Sequence, residues 1–340
     1  MAQFGLAGYG LWGKHHARAI AASADSALAA IACASEATAA IARADYPELP
    51  VVLGYEALLG IPGLSAIDIV TPNDLHAPIA LAALDAGLDV LLEKPMALTV
   101  DECDRIITAE HRSGRTVSIL HQFRLSTQWG RIKTMIDAGE IGEPRYANIS
   151  LYRFPYRPGS GGWRNRRDRV GSWILEEPVH FFDTVMWYFE SLGDPLCVSS
   201  AGNSIRPASG MNENFSCVLR WQSGAYATIT QTLSGFENHQ LVEVTGSEGS
   251  VRAWWSGASD RTRNPTFELK RKQRSSDVAE ILDIGPSGEV FELAEAFSRT
   301  GGAFKRRRPL VSAAEARKRI IVCLAAEQAL GSGKEHSLVF

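Results

Sequence analysis

The sequence lacks a large excess of either charge, paired cysteines and long apolar runs, and each absence excludes a class of function. Its 35 Lys and Arg stand against 38 Asp and Glu, a formal net charge of -3, so the chain as a whole does not attract nucleic acid or an anionic membrane. The five cysteines contain no CxxC pair, which argues against a zinc site and a redox disulfide. No apolar run reaches the roughly 18 residues of a membrane span, and the N-terminus does not resemble a signal peptide. We therefore expect a cytoplasmic protein with no metal, no nucleic-acid partner and no membrane contact.

Apolar and helical segments alternate through the first 120 residues. Short apolar runs, from Gln3 to Ala7 at the start to Thr116 to Leu120 at the end, are separated by Ala-rich stretches with helical spacing. This is the pattern of repeated βαβ units over a parallel sheet. A chain of 340 residues also exceeds the usual size of one domain. We therefore expect two domains, the first an α/β Rossmann domain with a doubly wound parallel sheet over residues 1–120.

The pattern changes after residue 120, where strict alternation appears. Phe215, Cys217, Leu219 and Trp221 alternate with more polar residues, which predicts a half-buried antiparallel strand. The segment 225–233 repeats the alternation with a threonine-rich second face, after a Gln-Ser-Gly turn. We expect residues 121–340 to form an α+β domain with a large, open, mostly antiparallel sheet that binds substrate and a second subunit.

A glycine motif follows the first apolar strand and opens a helix. Gly8, Gly10 and Gly13 have the GxGxxG spacing, and in this context the motif binds a dinucleotide. The first glycine permits the tight turn, the second lets the backbone approach the pyrophosphate, and the third lets the helix pack on the strand. The start of the helix then presents its unpaired amides to the phosphates.

The end of the second strand bears on the choice between NAD and NADP. Dinucleotide folds usually place an acidic residue there, which binds the ribose hydroxyls and repels a 2′-phosphate. This chain reads Ala32-Cys33-Ala34-Ser35, with no carboxylate before Glu36, and we expect no arginine beside this strand end to attract the phosphate. We expect NAD or NADP as cofactor, with NADP tolerated or preferred.

Further motifs follow the dinucleotide motif along the chain. In their order and spacing, all these motifs together resemble those of the family of glucose-fructose oxidoreductase, inositol dehydrogenase and MocA-type proteins, over almost the whole sequence. Members of this family are NAD(P)-dependent oxidoreductases that mostly act on sugars, polyols and their derivatives, and they commonly form dimers or tetramers. The motifs are Thr71-Pro72-Asn73-Asp74-Leu75-His76, Glu93-Lys94-Pro95, His121-Gln122-Phe123-Arg124, Ile141-Gly142-Glu143-Pro144, Trp163-Arg164 and Glu176 to Asp183.

The resemblance assigns roles to particular residues. It implies that Lys94 is the active-site lysine and that Glu176 and His180 match an acidic residue and a histidine of the family. The family often has aspartate and glycine in this segment, whereas this chain reads Glu176-Glu177-Pro178-Val179-His180, so the carboxylate is kept on a longer side chain. The resemblance also places Arg124, Trp163 and Arg164 near the substrate or nicotinamide, although ion pairs on the surface explain the two arginines equally well.

The chemistry of alcohol oxidation supports these roles independently. The reaction needs a base for the hydroxyl proton and a cation to stabilise the developing alkoxide. An unperturbed histidine titrates near neutrality, so His180 can be the base, and Lys94 can aim its ammonium at the substrate oxygen. Asp183 lies one helical turn from His180, so it can orient the imidazole or bind substrate. The alternative is a buried histidine that an aspartate satisfies within an apolar helix.

The remaining site residues follow from sheet geometry and from the motifs. Asn73 and His76 follow a strand of the first sheet, at the edge where open α/β sheets bind ligands, although a turn and helix cap would also explain them. We expect substrate contacts from Arg124, Trp163, Arg164, Glu176, His180 and Asp183. We expect cofactor contacts from Gly8, Gly10, Leu11, Trp12, Gly13, Cys33, Ser35, Thr71, Asn73, His76, Glu93 and Lys94.

We therefore expect an enzyme that transfers a hydride between NAD(P) and a hydroxyl carbon of a sugar, polyol or sugar derivative, assembled as a homodimer or homotetramer through its C-terminal sheet. A glycosidase that oxidises its sugar transiently, or a non-catalytic dinucleotide sensor, are the alternatives. Six arginines between residues 153 and 169 raise the question of an acidic sugar, but the neighbouring glycines favour a solvated loop.

Overall fold

The computed structural model describes residues 1–153, 157–205, 210–259, 261–262 and 264–340. The chain forms two compact units. The first unit contains Met1–His121, Asp168–Val170 and Leu293–Ile320, and the second contains Gln122–Arg167, Gly171–Glu292 and Ile321–Phe340. The first unit thus takes in two segments from beyond residue 120. None of the helices in the described part of the chain is long and apolar enough to cross a membrane.

The first unit is built on a six-stranded sheet in the order β3-β2-β1-β4-β5-β6, and each pair of neighbouring strands is parallel. This order is that of the Rossmann fold and confirms the predicted fold class. The third strand escaped prediction, since three residues are too few to show a period. The strands are β1 (Ala2–Ala7), β2 (Ser26–Cys33), β3 (Val51–Leu53), β4 (Ala66–Ile69), β5 (Asp89–Glu93) and β6 (Val117–Leu120).

Helices with local start and stop signals connect these strands. α5 shows both signals, because Thr99 and Glu102 form a reciprocal capping box at its start and Gly114 ends it in a left-handed conformation. Short 3-10 turns cover Asn73–Leu75 and Gln122–Leu125. The helices up to this point are α1 (Leu11–Ala22), α2 (Glu36–Asp45), α3 (Tyr55–Leu59), α4 (His76–Asp85) and α5 (Val100–Ser113).

A segment from near the C-terminus completes the core of the first unit. Phe4 on β1 contacts Phe297 edge-on, with 5.7 Å between the ring centroids, and also lies beside Phe304. The amide of Ile119 donates to the carbonyl of Val311. By their position in the sequence, these residues fall in the predicted second domain. In the folded chain they pack against the first sheet.

The second unit is built on a nine-stranded sheet in the order β14-β13-β12-β11-β7-β10-β9-β8-β15. Its neighbouring strands are antiparallel except β7 and β10, which are parallel. The predicted open, mostly antiparallel sheet is therefore confirmed. The strands are β7 (Pro144–Tyr152), β8 (Cys197–Asn203), β9 (Asn214–Arg220), β10 (Tyr226–Thr232), β11 (Asn238–Gly246), β12 (Gly249–Gly257), β13 (Thr266–Gln273), β14 (Glu280–Ile281) and β15 (His336–Ser337).

One face of this sheet is apolar and packs on α9. Phe215 of β9 contacts Phe182 of the helix, and Trp221 contacts Phe189 at its end. The other face carries the predicted threonines, where Thr228 and Thr230 are only partly buried. The remaining helices are α6 (Trp129–Asp137), α7 (Arg167–Val170), α8 (Trp173–Glu176), α9 (Pro178–Tyr188), α10 (Glu289–Arg306) and α11 (Ala313–Ser332), and 3-10 turns cover Ser160–Asn165 and Glu190–Leu192.

Candidate active site

The glycine loop between β1 and α1 has the geometry of a dinucleotide site. Gly8 has a φ of +106°, and a Cβ there would lie 2.4 Å from the carbonyl oxygen of Val70. A Cβ on Gly13 would lie 2.0 Å from the carbonyl oxygen of Gly8. At Gly10, by contrast, a Cβ would meet nothing within 4 Å. Gly8 and Gly13 are therefore required by the packing of the loop, whereas Gly10 borders open space that a pyrophosphate can approach.

The start of α1 is suited to the same ligand. Leu11 at this end of the helix is 69% exposed, and no side chain caps the N-terminal amides of the helix. Beside it, at the carboxyl end of β4, the buried hydroxyl of Thr71 has no hydrogen-bond partner among the described residues. A helix start without a side-chain cap and an unsatisfied hydroxyl fit a bound phosphate-containing cofactor.

The carboxyl end of β2 contains an arginine that local sequence did not reveal. Cys33 is buried, and burial is the main cause that raises the pKa of its thiol. Ser35 caps α2 by accepting from the amide of Thr38. From this helix Arg43 reaches back to form an ion pair with Glu36 and interacts electrostatically with Cys33. The expectation that no arginine lies beside this strand end is therefore wrong, because a separation of seven residues is two helical turns.

The residues after β4 form a buried turn. The Nδ1 atom of His76 lies 2.6 Å from the carbonyl oxygen of Pro95, and its Nε2 atom lies 3.0 Å from the carbonyl oxygen of Thr71. The side-chain amide of Asn73 donates to the carbonyl of Val170 at 3.1 Å. His76 therefore connects the turn after β4 to the turn after β5, the segment that contains Lys94.

A charged network lies beneath Lys94. His16 is fully buried, with Nδ1 at 2.8 Å from Asp68 and Nε2 at 3.0 Å from Glu93. Trp12 donates to the same Glu93 oxygen at 2.6 Å. Burial disfavours a charged imidazole, but the two carboxylates outweigh it and raise the pKa of His16 to about 9. The side chain of Glu93 is thus engaged inside the protein, and its second oxygen accepts from the amide of Lys94 at 3.2 Å.

Lys94 itself directly follows β5. In a parallel sheet all carboxyl ends meet at one edge, so Lys94 lies at the same edge as the glycine loop and Thr71. The structure brings together the residues predicted from the glycine motif and from the turns after β4 and β5. The side chains of Trp12 and Glu93 both take part in a buried network that the sequence did not indicate.

In the second unit, α9 carries the predicted histidine and aspartate. The imidazole of His180 stacks on Phe123, with 4.9 Å between centroids and 27° between planes. Asp183 is fully buried and accepts two hydrogen bonds from Arg124, at 2.8 Å from Nε and 2.6 Å from Nη2. The Arg124 side chain is 11% exposed. Arg124 thus forms an ion pair, as the alternative interpretation predicted, but the pair is buried rather than on the surface. It anchors α9 one helical turn from His180.

The acidic residues before α9 contact the arginine-rich segment. The Nε atom of Arg164 donates to Glu176 at 2.5 Å, and Arg164 also lies over the ring of Trp163, 4.6 Å from its centroid. Arg153 forms an ion pair with Glu177, the residue that precedes α9. The expectation of a solvated loop is wrong for these arginines, although Arg166 and Arg167 are exposed.

Sequence reasoning missed several of these residues. Phe123 belongs to the His121-Gln122-Phe123-Arg124 motif, and nothing local in the sequence shows that its ring stacks on His180. His16 lies outside the motifs described above. Its position four residues after Trp12 was the available signal, since both side chains then lie on one face of α1.

Comparisons with known proteins agree with this fold. Residues 2–121 match the family model described as oxidoreductase family, NAD-binding Rossmann fold, and residues 129–252 match the GFO/IDH/MocA C-terminal domain. Within the first unit, the glycine loop and Lys94 lie inside the first match.

Named relatives support the same assignment. The uncharacterized oxidoreductase YdgJ of Escherichia coli is 30% identical over 72% of this chain and 69% of its own length. An inositol 2-dehydrogenase of Salmonella typhimurium is 33% identical over 54% of this chain and 53% of its own length. The matched part thus spans between about half and about two thirds of these relatives.

Solved structures extend the likeness to the full chain. The aldose-aldose oxidoreductase of Caulobacter crescentus, crystallised with glycerol, superposes with a TM-score of 0.85 at 20% identity over 99% of both chains. At this identity the likeness shows the fold alone. From the two family matches, the chain belongs to the GFO/IDH/MocA family of NAD-binding oxidoreductases.

Proposed function

We propose that the protein transfers a hydride between a nicotinamide cofactor and a hydroxyl-bearing carbon of a sugar, polyol or sugar derivative. When bound, the nicotinamide supplies the hydride acceptor or donor. In the direction of oxidation, His180 accepts the hydroxyl proton and the ammonium of Lys94 stabilises the negative charge that develops on the substrate oxygen. The observation that carries the proposal is the position of Lys94 directly after β5, at the edge where the glycine loop offers open space beside Gly10.

The surroundings of His180 support its role as a base. Stacking on Phe123 fixes the plane of the imidazole, and the amide of His180 is held by the carbonyl of Glu177. Glu176, which is almost fully buried, is held by Arg164. We assign Glu176 to orienting the substrate hydroxyl by hydrogen bonding, a task that suits a carboxylate held in place by a guanidinium.

We propose that NADP is accepted and preferred. Ala34 and Ser35 at the end of β2 are exposed and uncharged, so no carboxylate on these residues repels a 2′-phosphate. Arg43 is close to this strand end and is half exposed, which leaves it able to exchange its exposed partner Glu36 for a phosphate. Planar guanidinium groups bind phosphate through paired hydrogen bonds.

We further propose a homodimer or homotetramer that forms through the threonine-bearing face of the second sheet. Thr228 donates to Asn148 at 2.9 Å, and Thr230 lies 3.2 Å from Ser216, so the face is an ordered polar surface. Tyr226 on the same face is 44% exposed. Light scattering after gel filtration should show an oligomer for the wild type and a smaller species for Thr230→Arg.

We also propose a reducing compartment, the cytoplasm, as the place of action. The five cysteines are free thiols. Burial raises the pKa of the thiols of Cys103, Cys217 and Cys323, which keeps them protonated and unreactive. Such thiols contribute to the apolar cores rather than to redox chemistry.

The proposed reaction is tested with Lys94→Met and His180→Asn. Each variant should lower kcat/KM by at least about 100-fold, because each removes one charge-handling group from the transition state. Cofactor titration should remain close to wild type for His180→Asn. The matched controls are Lys334→Met and His111→Asn, which alter exposed residues elsewhere. Turnover within about threefold of wild type in both site variants would reject the proposed mechanism.

A further inference from the structure

A buried carboxyl group near the start of α10 has no role in the proposed reaction. Glu292 is 2% exposed, and neither oxygen of its carboxyl group has a hydrogen-bond partner among the described residues. The Ser126 hydroxyl and the backbone of Gly288 lie close enough to favour its ionised form, but neither meets the geometry of a hydrogen bond to it. A buried carboxyl with two unsatisfied oxygens is unfavourable, so its presence requires a physical reason.

Glu292 lines a small cavity whose wall lies entirely within the second unit. The space inside is about 10 Å³, roughly the room that one water molecule or one hydroxyl group needs. Three residues of the wall, Gln240, Gly288 and Glu289, are partly exposed, so the cavity is accessible from the surface. The other lining residues are buried aromatics, namely Phe123, Trp129 and Trp255. A single polar group can therefore enter and meet the Glu292 carboxyl.

The chemistry of the cavity favours a neutral group as its occupant. Glu289, the other acidic residue of the wall, already pairs with Arg261 at 3.3 Å. Burial is the main cause that raises the pKa of Glu292 to about 8, and the charge of Glu289 adds to it. The Glu292 carboxyl is therefore mostly protonated and uncharged at neutral pH. A protonated carboxyl donates one hydrogen bond and accepts another, which matches the donor and acceptor of a hydroxyl group.

The cavity adjoins the histidine of the proposed reaction. Phe123 belongs to the wall of the cavity and also stacks on the imidazole of His180, with 4.9 Å between the ring centroids. The cavity is thus one side chain away from the proposed base. Sugars and polyols carry hydroxyl groups on neighbouring carbons, so a substrate with one hydroxyl at His180 has others within a few atoms of it.

We propose that Glu292 binds a second hydroxyl group of the substrate, which enters the cavity, and that it thereby determines which sugar or polyol is accepted. This inference rests on the proposed function, because it concerns the substrate of the same site. A site that hydrogen-bonds a substrate hydroxyl rejects analogues that lack it, since the buried polar group is then left unpaired. Glu292 acts in binding only and takes no part in proton or hydride transfer.

The first test measures equilibrium binding to the cofactor-saturated protein by calorimetry. The probes are myo-inositol, D-glucitol and D-glucose, each with its single-deoxy analogues. We expect at least one probe to bind and to lose about tenfold or more in affinity when one particular hydroxyl is removed. Glu292→Leu should bind the complete probe about as weakly as the wild type binds this analogue. It should bind the complete probe and the analogue equally, because the partner of that hydroxyl is gone.

Two further variants separate recognition from folding. Glu292→Gln keeps an uncharged donor and acceptor and should retain the affinity within about threefold of wild type. Glu295→Leu changes a carboxylate of the same helix that is 41% exposed, and it should leave the affinity unchanged. Thermal unfolding reports whether each fold is intact. Glu292→Leu should not lower the Tm, because it removes a buried polar group without partners.

Infrared difference spectroscopy observes the carboxyl group itself. At neutral pH, the spectrum of the wild type minus that of Glu292→Gln should contain the C=O band of a protonated carboxyl. Binding of the preferred probe should move this band to lower frequency, because a new hydrogen bond forms. A band that stays unchanged on binding would show that the probe does not reach Glu292 and that the cavity takes only a water molecule.

The outcomes distinguish this inference from the proposed function. An unchanged band, an equal loss in Glu292→Leu for the complete probe and its deoxy analogue, or no binding of any probe would overturn the inference. Nicotinamide reduction by a probe whose KM is unchanged in Glu292→Leu would leave the proposed function standing and reject the inference. Binding that depends on Glu292 without any nicotinamide reduction would reject the function and keep the hydroxyl site.

Discussion

In the first unit, the glycine loop for the cofactor is fixed mainly by backbone geometry. In the second unit, the side chains of the candidate site are held by buried ion pairs. Gly8 and Gly13 are fixed by carbonyl oxygens that leave no room for a Cβ. In the second unit, Arg124 holds Asp183 and Arg164 holds Glu176. Backbone geometry suits the pyrophosphate, which NAD and NADP share, while side-chain pairs can be changed one at a time and therefore suit a variable substrate.

Breaking the buried pair of the second unit should have the largest effect. Asp183→Asn leaves the Arg124 guanidinium partly buried without its carboxylate, and we expect a loss of about 3 to 5 kcal/mol of unfolding free energy. Urea unfolding followed by tryptophan fluorescence measures it. The matched control is Arg112→Gln, which breaks a pair whose side chains are 64% and 63% exposed and should cost at most about 1 kcal/mol. Equal effects of the two substitutions would contradict the distinction between buried and exposed pairs.

The corresponding change in the first unit is Gly13→Ala. Its methyl group would meet the Gly8 carbonyl at 2.0 Å, so the loop must shift, and we expect cofactor affinity to fall by at least about 100-fold. Gly10→Ala is the control, because its methyl group meets no protein atom within 4 Å. It should keep the wild-type Tm while weakening the cofactor about tenfold by obstructing the pyrophosphate. Unchanged affinity in Gly13→Ala, measured by titration of cofactor fluorescence, would refute the role of this glycine.

His16 sharpens the comparison, because it is a buried charged side chain in the first unit, where the glycine loop is fixed by backbone geometry. Its pKa is raised from 6.5 to about 9 in the folded protein, so the protonated imidazole stabilises the fold below about pH 6.5 and loses this effect as the pH rises through 9. Relative to His16→Gln, the wild type should lose about 3 kcal/mol of unfolding free energy between these pH values. Urea unfolding at a series of pH values measures the difference. A difference that does not change with pH would show that His16 is neutral.

The smallest expected effect concerns the cofactor phosphate. Arg43→Gln should weaken NADPH binding about tenfold, or about 1.4 kcal/mol, and leave NADH binding unchanged. The control is Arg18→Gln, a change to an exposed arginine on α1. Direct titration of both cofactors by fluorescence separates the two effects. An equal loss for NADH and NADPH, or tighter binding of NADH by the wild type, would reject the proposed preference for NADP.

The same contrast explains what could be predicted from the sequence. The GxGxxG loop and the alternation of Phe215, Cys217 and Leu219 are local patterns, so they identified the Rossmann loop and the strand face correctly. The pair of Arg124 with Asp183 spans 59 residues, and no local pattern encodes it. Arg153 and Arg164 were visible as part of a run of arginines, but their partners Glu177 and Glu176 become neighbours only in the folded second unit.

The most direct test of hydride transfer is the change in absorbance of the nicotinamide when the wild-type protein is mixed with NADP or NAD and a panel of polyols, sugars, sugar acids and sugar phosphates. We expect reduction of the nicotinamide with one chemical group of the panel, fastest with NADP, and its loss in Lys94→Met and His180→Asn. No reduction with any compound, in a protein shown by titration to bind the cofactor, would contradict the proposed function.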